Sequence, residues 1–213
     1  GPVSLTRIKV QNSGNRSVGT PAQTAGDTCA GACINGFTMD NSIITDSAGG
    51  ALDDGLVLTN VTGAVSVTNS AIADIPHNGM WADNFSYNMS SFTLTNTAIS
   101  CASGQPCQPS GSVGNDGLLL VMRGTSVLTS GLISGSTFSG VRAVGVQVQT
   151  GDTGRIGSSS GGVITAPAAS NSITIQGNSF TGNGQGIDID ESQVSNLAFQ
   201  VLTNTVIGKV TTP

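Results

Sequence analysis

Apolar residues along this chain fall into short runs that alternate with polar ones, and the runs repeat. IKVQNSG from Ile8, FTMDNSII from Phe37, VSVTNSAI from Val65 and FTLTNTAI from Phe92 share one layout. GLISGSTF from Gly131, ITIQGNSF from Ile173 and FQVLTNTV from Phe199 are looser copies. Each copy has an apolar anchor, at Val10, Met39, Val67, Leu94, Ile133, Ile175 and Val201. Two residues earlier stands Ile8, Phe37, Val65, Phe92, Ile173 or Phe199, and Gly131 breaks that column. Five residues after the anchor comes Ile44, Ile72, Ile99, Phe138, Phe180 or Val206; only the first copy fails, with Asn15. Alternation with period two predicts a strand with one buried face. The step from two to five means that the chain turns a corner and then points inward again.

At that corner stand Asn12, Asn41, Asn69 and Asn96, followed in later copies by Gly135, Gly177 and Thr203. Asn and Gly tolerate left-handed backbone, so they suit a tight turn between strands. Stacked about 4.8 Å apart, Asn side chains also hydrogen-bond between coils, and these four are expected to form a structural ladder. A second strand in each coil opens with Gly, at Gly55-Leu56-Val57-Leu58, Gly79-Met80-Trp81, Gly117-Leu118-Leu119-Leu120, Gly145-Val146-Gln147-Val148 and Gly186-Ile187-Asp188-Ile189. The anchors are spaced by 29, 28, 27, 39, 42 and 26 residues. A coil of about 27 residues with two longer insertions accounts for this series. Hexapeptide repeats of a left-handed β-helix are absent, and propeller blades of about 40–50 residues fit less well.

The pairing of apolar-x-apolar-x-Asn-Ser/Thr with a Gly-led apolar strand resembles the right-handed parallel β-helix repeat family, the pectate-lyase-like superfamily. The resemblance covers roughly residues 5–208 and is closest in character to surface adhesins and autotransporter passenger segments. It implies an all-β solenoid of about seven coils, a single domain over 1–213, with loop insertions near 15–36, 100–116 and 149–171. Gly1-Pro2 reads as the scar of a removed tag. The same coil hosts lyases, hydrolases and inert stalks, so function has to be argued from the site. One branch, the polygalacturonases, carries Asn-Thr-Asp, Asp-Asp, Gly-His-Gly and Arg-Ile-Lys in that order. Here Asp53-Asp54 and Arg7-Ile8-Lys9 occur in the wrong order, no Gly-His-Gly exists, and Asn96-Thr97 is followed by Ala98.

Composition sharpens the picture. Only 9% of residues are charged, yet 37% are hydrophobic and regularly spaced, which favours a packed core over disorder. The net charge of −5, with Lys and Arg scattered, speaks against nucleic acid. No apolar run is long enough for membrane insertion. Cys29 and Cys33 form one local pair and Cys101 and Cys107 another, which suits small disulfide-closed loops in an oxidising, extracellular or cell-surface setting. A zinc site would need four converging ligands, whereas the pairs lie 68 residues apart and the chain has one His. The four Asn-x-Ser/Thr sequons, from Asn15, Asn60, Asn84 and Asn88, are what chance gives in so Asn-rich a chain.

Candidate chemistry sits in a few places. Asp54, Asn78 and Asp116 each precede the Gly of the second strand and are expected to stack in one column. Such oxygen ligands suit Ca²⁺, the only cofactor the chain suggests, although Asp and Asn before Gly are also ordinary turn residues. His77 is the sole histidine, close in sequence to Trp81, Asp83, Phe85 and Tyr87, where a sugar ring has aromatic faces to stack on. Asp188 and Asp190 flank Ile189 and are expected on one outer face about 7 Å apart. Arg123 and Arg142 follow apolar stretches in consecutive coils and are candidates to line one groove. Nucleophile-elbow, metalloprotease and phosphate-loop motifs are absent.

The expectation is a non-catalytic structural or adhesive segment. Val201 opens a last strand and no amphipathic helix follows before Pro213, so the partners expected are further coils or copies of the chain end to end. Glycans are the candidate ligands. The alternatives are a polysaccharide lyase or hydrolase and a carbohydrate-binding module on the same fold.

Overall fold

The computed structural model describes residues 1–11, 16–20, 34–45, 53–102, 107, 116–157, 172–191, 196–207 and 210–211. Cys29, Cys33 and Asn12, and most of the three expected insertions, lie outside them. Every regular element among the described residues is a β-strand, and every strand pairing is parallel. Three sheets result, each built from strands one coil apart. Sheet A stacks Val3–Thr6, Asn35–Asp40, Thr62–Thr68, Met89–Thr95 and Val127–Ser134, then Arg155–Ile156 with Ile173–Gln176, then Asn196–Leu197 with Phe199–Leu202. Sheet B stacks Lys9–Gln11, Ile43–Thr45, Ala71–Ala73, Ala98–Ser100, Thr137–Ser139, Ser179–Thr181 and Thr205–Ile207. Sheet C stacks Arg16–Gly19, Asp54–Thr59, Met80–Phe85, Leu118–Arg123, Val144–Thr150, Gln185–Glu191 and Val210–Thr211. The chain visits A, B and C in turn, the arrangement of a parallel solenoid.

The repeat columns lie one over another in register. Met39, Val67, Leu94, Ile133 and Ile175 are fully buried in sheet A, and Ile44, Ile72, Ile99, Phe138 and Phe180 in sheet B. Leu56, Met80, Leu118, Val146 and Ile187 face them from sheet C. Phe138 and Phe180 stack with ring centroids 5.0 Å apart. Gly131, the gap in one column, has a packing reason. A Cβ there would sit 2.8 Å from Ile173 Cγ1, so the neighbouring isoleucine already fills the space.

The first coil sits five residues earlier than the sequence comparison placed it. Leu5 pairs with Met39 and Val10 with Ile44. Ile8-x-Val10 imitates the apolar-x-apolar pattern that Val3-x-Leu5 actually supplies. Arg7, at φ 55°, therefore holds the corner that the repeat assigned to Asn12.

The corner between sheets A and B is left-handed in every coil described. Arg7, Asn41, Asn69, Asn96, Gly135, Gly177 and Thr203 all have φ between 48° and 62°. Their N–H groups still donate to the next coil, as from Asn41 to Thr68 O at 3.2 Å and from Asn69 to Thr95 O at 3.1 Å. The asparagine side chains themselves are exposed. Asn69 Nδ2 donates to Asp40 Oδ1 at 2.9 Å and Asn96 Nδ2 to Asn69 Oδ1 at 3.4 Å, the second a weak contact. Together with the Thr68 hydroxyl, which comes first, the Asn69 amide holds the Asp40 carboxyl below its usual range.

The buried ladder runs through the next residue. Ser42, Ser70, Thr97, Ser136 and Asn178 are buried, and each accepts the N–H of its counterpart one coil earlier. The chain of donors is Ile8, Ser42, Ser70, Thr97 and Ser136 at 2.9–3.4 Å, and Asn178 donates on to Asn204 Oδ1. Each hydroxyl returns its proton to the carbonyl two residues back, as from Ser70 to Thr68 O at 2.7 Å. The Gly-led column has a steric origin: a Cβ at Gly79, Gly117 or Gly145 would meet the next coil's carbonyl oxygen at 2.6–2.8 Å.

Two outcomes follow from these corners. Ser136→Ala leaves the buried Thr97 N–H, now bonded at 3.1 Å, without its acceptor, and denaturant melts should show a loss of about 1–3 kcal/mol, whereas Ser136→Thr stays close to the parent. Thr203 is a β-branched residue at φ 52°, so Thr203→Asn should raise stability by about 1 kcal/mol in the same melts.

Candidate functional site

Chemistry-bearing residues gather where the chain passes from sheet B to sheet C, in the segment Ile75-Pro76-His77-Asn78-Gly79 and the equivalent turns of neighbouring coils. Asp54, Asn78 and Asp116 stack there, all buried. Asp54 Oδ1 accepts the Asn78 N–H at 3.1 Å, Asn78 Oδ1 accepts the Asp116 N–H at 3.2 Å, and Asp116 Oδ1 accepts the Val144 N–H at 3.0 Å. This is a second ladder. Its acceptors come from the earlier coil, opposite to the first.

His77 completes the corner. Its Nδ1 lies 2.7 Å from Asp54 Oδ1, which also receives Asn78 Nδ2 at 3.0 Å. Asn78 Nδ2 also lies 3.0 Å from His77 Nδ1, so carboxylate, imidazole and amide close a triangle of short contacts. Asp116 lies in the same small cleft as His77, with Ile75, Val141 and the Cys101–Cys107 disulfide in its walls. Burial raises the Asp116 carboxyl to about 6; the Val144 N–H opposes the rise, and the Asp188 charge adds to it. The cleft has room for little more than one water.

The remaining candidates go elsewhere. Trp81 and Asp83 project from the outer face of sheet C, in register with Leu119 and Val121. Asp83 is buried and takes a two-pronged ion pair from Arg123, with Nε at 3.1 Å and Nη2 closer still. The Trp81 indole N–H is shut off from solvent and has no hydrogen-bond partner among the described residues. Tyr87 lies past the far end of the same strand, at the corner leading to sheet A, where its carbonyl accepts Asn84 Nδ2 at 3.1 Å. His77 and Tyr87 thus bracket the strand at opposite ends. Arg123 and Arg142 do not share a groove: Arg123 ends a sheet C strand, whereas Arg142 precedes the next one. Asp188 and Asp190 both face outward beside the buried Ile187 and Ile189, and Asp188 accepts Gln147 Nε2 at 3.1 Å. Of the sequons, Asn60 and Asn84 are buried and Asn88 is exposed.

Three features escape a reading of the repeat. The Ser/Thr ladder stands one residue beyond the asparagines, in a column that shares no single residue type. The His77–Asp54 contact joins residues 23 apart. Asp74 lies beside the Cys101–Cys107 disulfide because Ala73 and Ser100 pair, which makes Cys101 its counterpart one coil on. The Cys101–Cys107 bridge itself spans 5.8 Å between Cα atoms and fits an oxidising setting. No helix among the described residues is long and apolar enough to cross a membrane. Comparison with protein-family models, curated proteins and solved structures found no match.

The Asp116 geometry makes a pH-dependent outcome testable. A carboxyl raised in the folded state binds its proton more tightly there, so the contribution of Asp116 to stability is most favourable at low pH and falls as pH climbs from about 4 to about 6. Asp116→Asn keeps an acceptor oxygen for Val144 and removes the charge. The variant should match the parent near pH 4 and exceed it by up to about 3 kcal/mol at pH 7 in urea melts across that range.

Proposed function

We propose that this chain is a right-handed parallel β-helix of about seven coils that serves as a non-catalytic extracellular rod, structural or adhesive, and that extends by stacking on further coils or on copies of itself. The carrying observation is how the candidate catalytic groups are used. Asp54, Asn78 and Asp116 accept backbone N–H groups from the adjacent coil, and Asp83 is held by Arg123. A carboxylate engaged in this way supports winding, and among the described residues the cleft beside His77 has room for about one water. The disulfide supports an oxidising location. Parallel coils also support end-to-end growth, because among the described residues the first and last strand of each sheet pair on one side only.

A second reading rests on one specific feature, the Asp54–His77 contact beside the raised acid Asp116, which suits general acid–base work on a glycan. Light scattering with negative-stain microscopy separates the two. The rod reading expects particles that lengthen with concentration in steps of about 30 Å, the height of seven coils. Particles that stay monomeric while shortening or unsaturating a polysaccharide would sink it in favour of the enzyme.

A further inference from the structure

Asp74, Cys101 and Cys107 bring a carboxylate oxygen and two sulfurs to within 4.8 Å of one another. The stacking explains why. Asp74 turns the corner after sheet B at φ 60°, and Cys101 takes the same place one coil on, so carboxylate and sulfur meet at the spacing of adjacent coils. The Asp74 backbone N–H donates to Ser100 O at 2.8 Å, and its Oδ1 accepts the Ala102 N–H at 2.7 Å. Those two bonds fix the carboxylate against the start of the loop. Cys107 returns to the same point, and both cysteines are buried, at 7% and 4% exposure.

We propose that Asp74, Cys101 and Cys107 form a redox-gated site for a thiophilic divalent cation of the zinc type, shut while the disulfide stands and opened by its reduction. A phosphine reductant takes up the oxygen of one water as the S–S bond breaks, and each sulfur receives one of that water's protons. The cation then displaces both protons, leaving two thiolates and the Asp74 carboxylate as ligands with water in the fourth position, an open three-ligand site in place of the closed four-ligand site that the separation of the two cysteine pairs argues against. Thiolates select zinc over calcium or magnesium, which prefer all-oxygen sets. The inference does not depend on stacking, but it bears on the location in the rod reading: the disulfide cited there is the gate itself, so the site stays shut until the chain meets a reductant.

Cobalt(II) is the probe, added to the full chain carrying Cys29→Ser and Cys33→Ser so that only the second pair responds. After phosphine reduction, a thiolate-to-cobalt absorption band should saturate at one ion per chain and vanish on adding zinc, while the oxidised chain shows none. Asp74→Asn keeps an acceptor for Ala102 and should weaken cobalt binding at least tenfold; Cys101→Ser with Cys107→Ser should abolish the band. No band in the reduced chain overturns the proposal, and so does an Asp74→Asn variant that binds as tightly as its parent. If a variant misfolds, the reduced wild-type chain still decides the matter by alkylation mapped with mass spectrometry. Zinc should slow modification of Cys101 and Cys107 at least tenfold, and unchanged rates would count against the site.

Discussion

A coil that turns three corners buries backbone N–H groups at places where no strand lies opposite them, and an unpaired N–H of that kind costs about 1–3 kcal/mol. The side-chain oxygens of Ser42, Ser70, Thr97, Ser136 and Asn178 meet this demand at the A–B corner. Asp54, Asn78 and Asp116 meet it between B and C, and Asn60 and Asn84 between C and A, where they accept the Phe85 and Val61 N–H groups. The apolar columns supply the driving force for winding. Without these oxygens, however, the corners would not tolerate being inside.

This shared demand explains why so many residues that look chemical turn out to be architectural. Asp and Asn in a Gly-rich, low-charge chain invite a search for metal or acid–base sites. Here a single Oδ1 of Asp54 collects His77, the Asn78 N–H and the Asn78 amide, so the group is heavily committed. Asp116 is the exception in energetic terms. It performs the same task that Asn78 performs uncharged one coil earlier, and burial penalises its charge. A carboxyl kept where an amide would do is the one place in this corner where architecture alone is an incomplete account.

Most of the winding was legible in the sequence because it rests on period and spacing. Phe37 and Met39, Val65 and Val67, and Phe92 and Leu94 announce their face by alternation, and Asn41, Asn69 and Asn96 announce the turn. The first coil misled because Ile8-x-Val10 and Val3-x-Leu5 carry the same pattern five residues apart, and nothing local chooses between them. Pairing with Ile44 decides it, a contact 34 residues away. The site was less legible for a related reason. Proximity across coils depends on exact register, so Asp74 beside Cys101 and Arg123 over Asp83 emerge only once the coils are stacked.

The two long ladders point in opposite senses. At the A–B corner each N–H is answered by the coil that follows, while between B and C it is answered by the coil before. Each coil therefore reaches both its neighbours, accepting from the coil before it at one corner and from the coil after it at the other. Deleting one coil from the middle would consequently strand N–H groups on both sides of the gap, at the A–B corner of the coil before it and at the B–C corner of the coil after it, so the two ladders tie every coil in both directions at once.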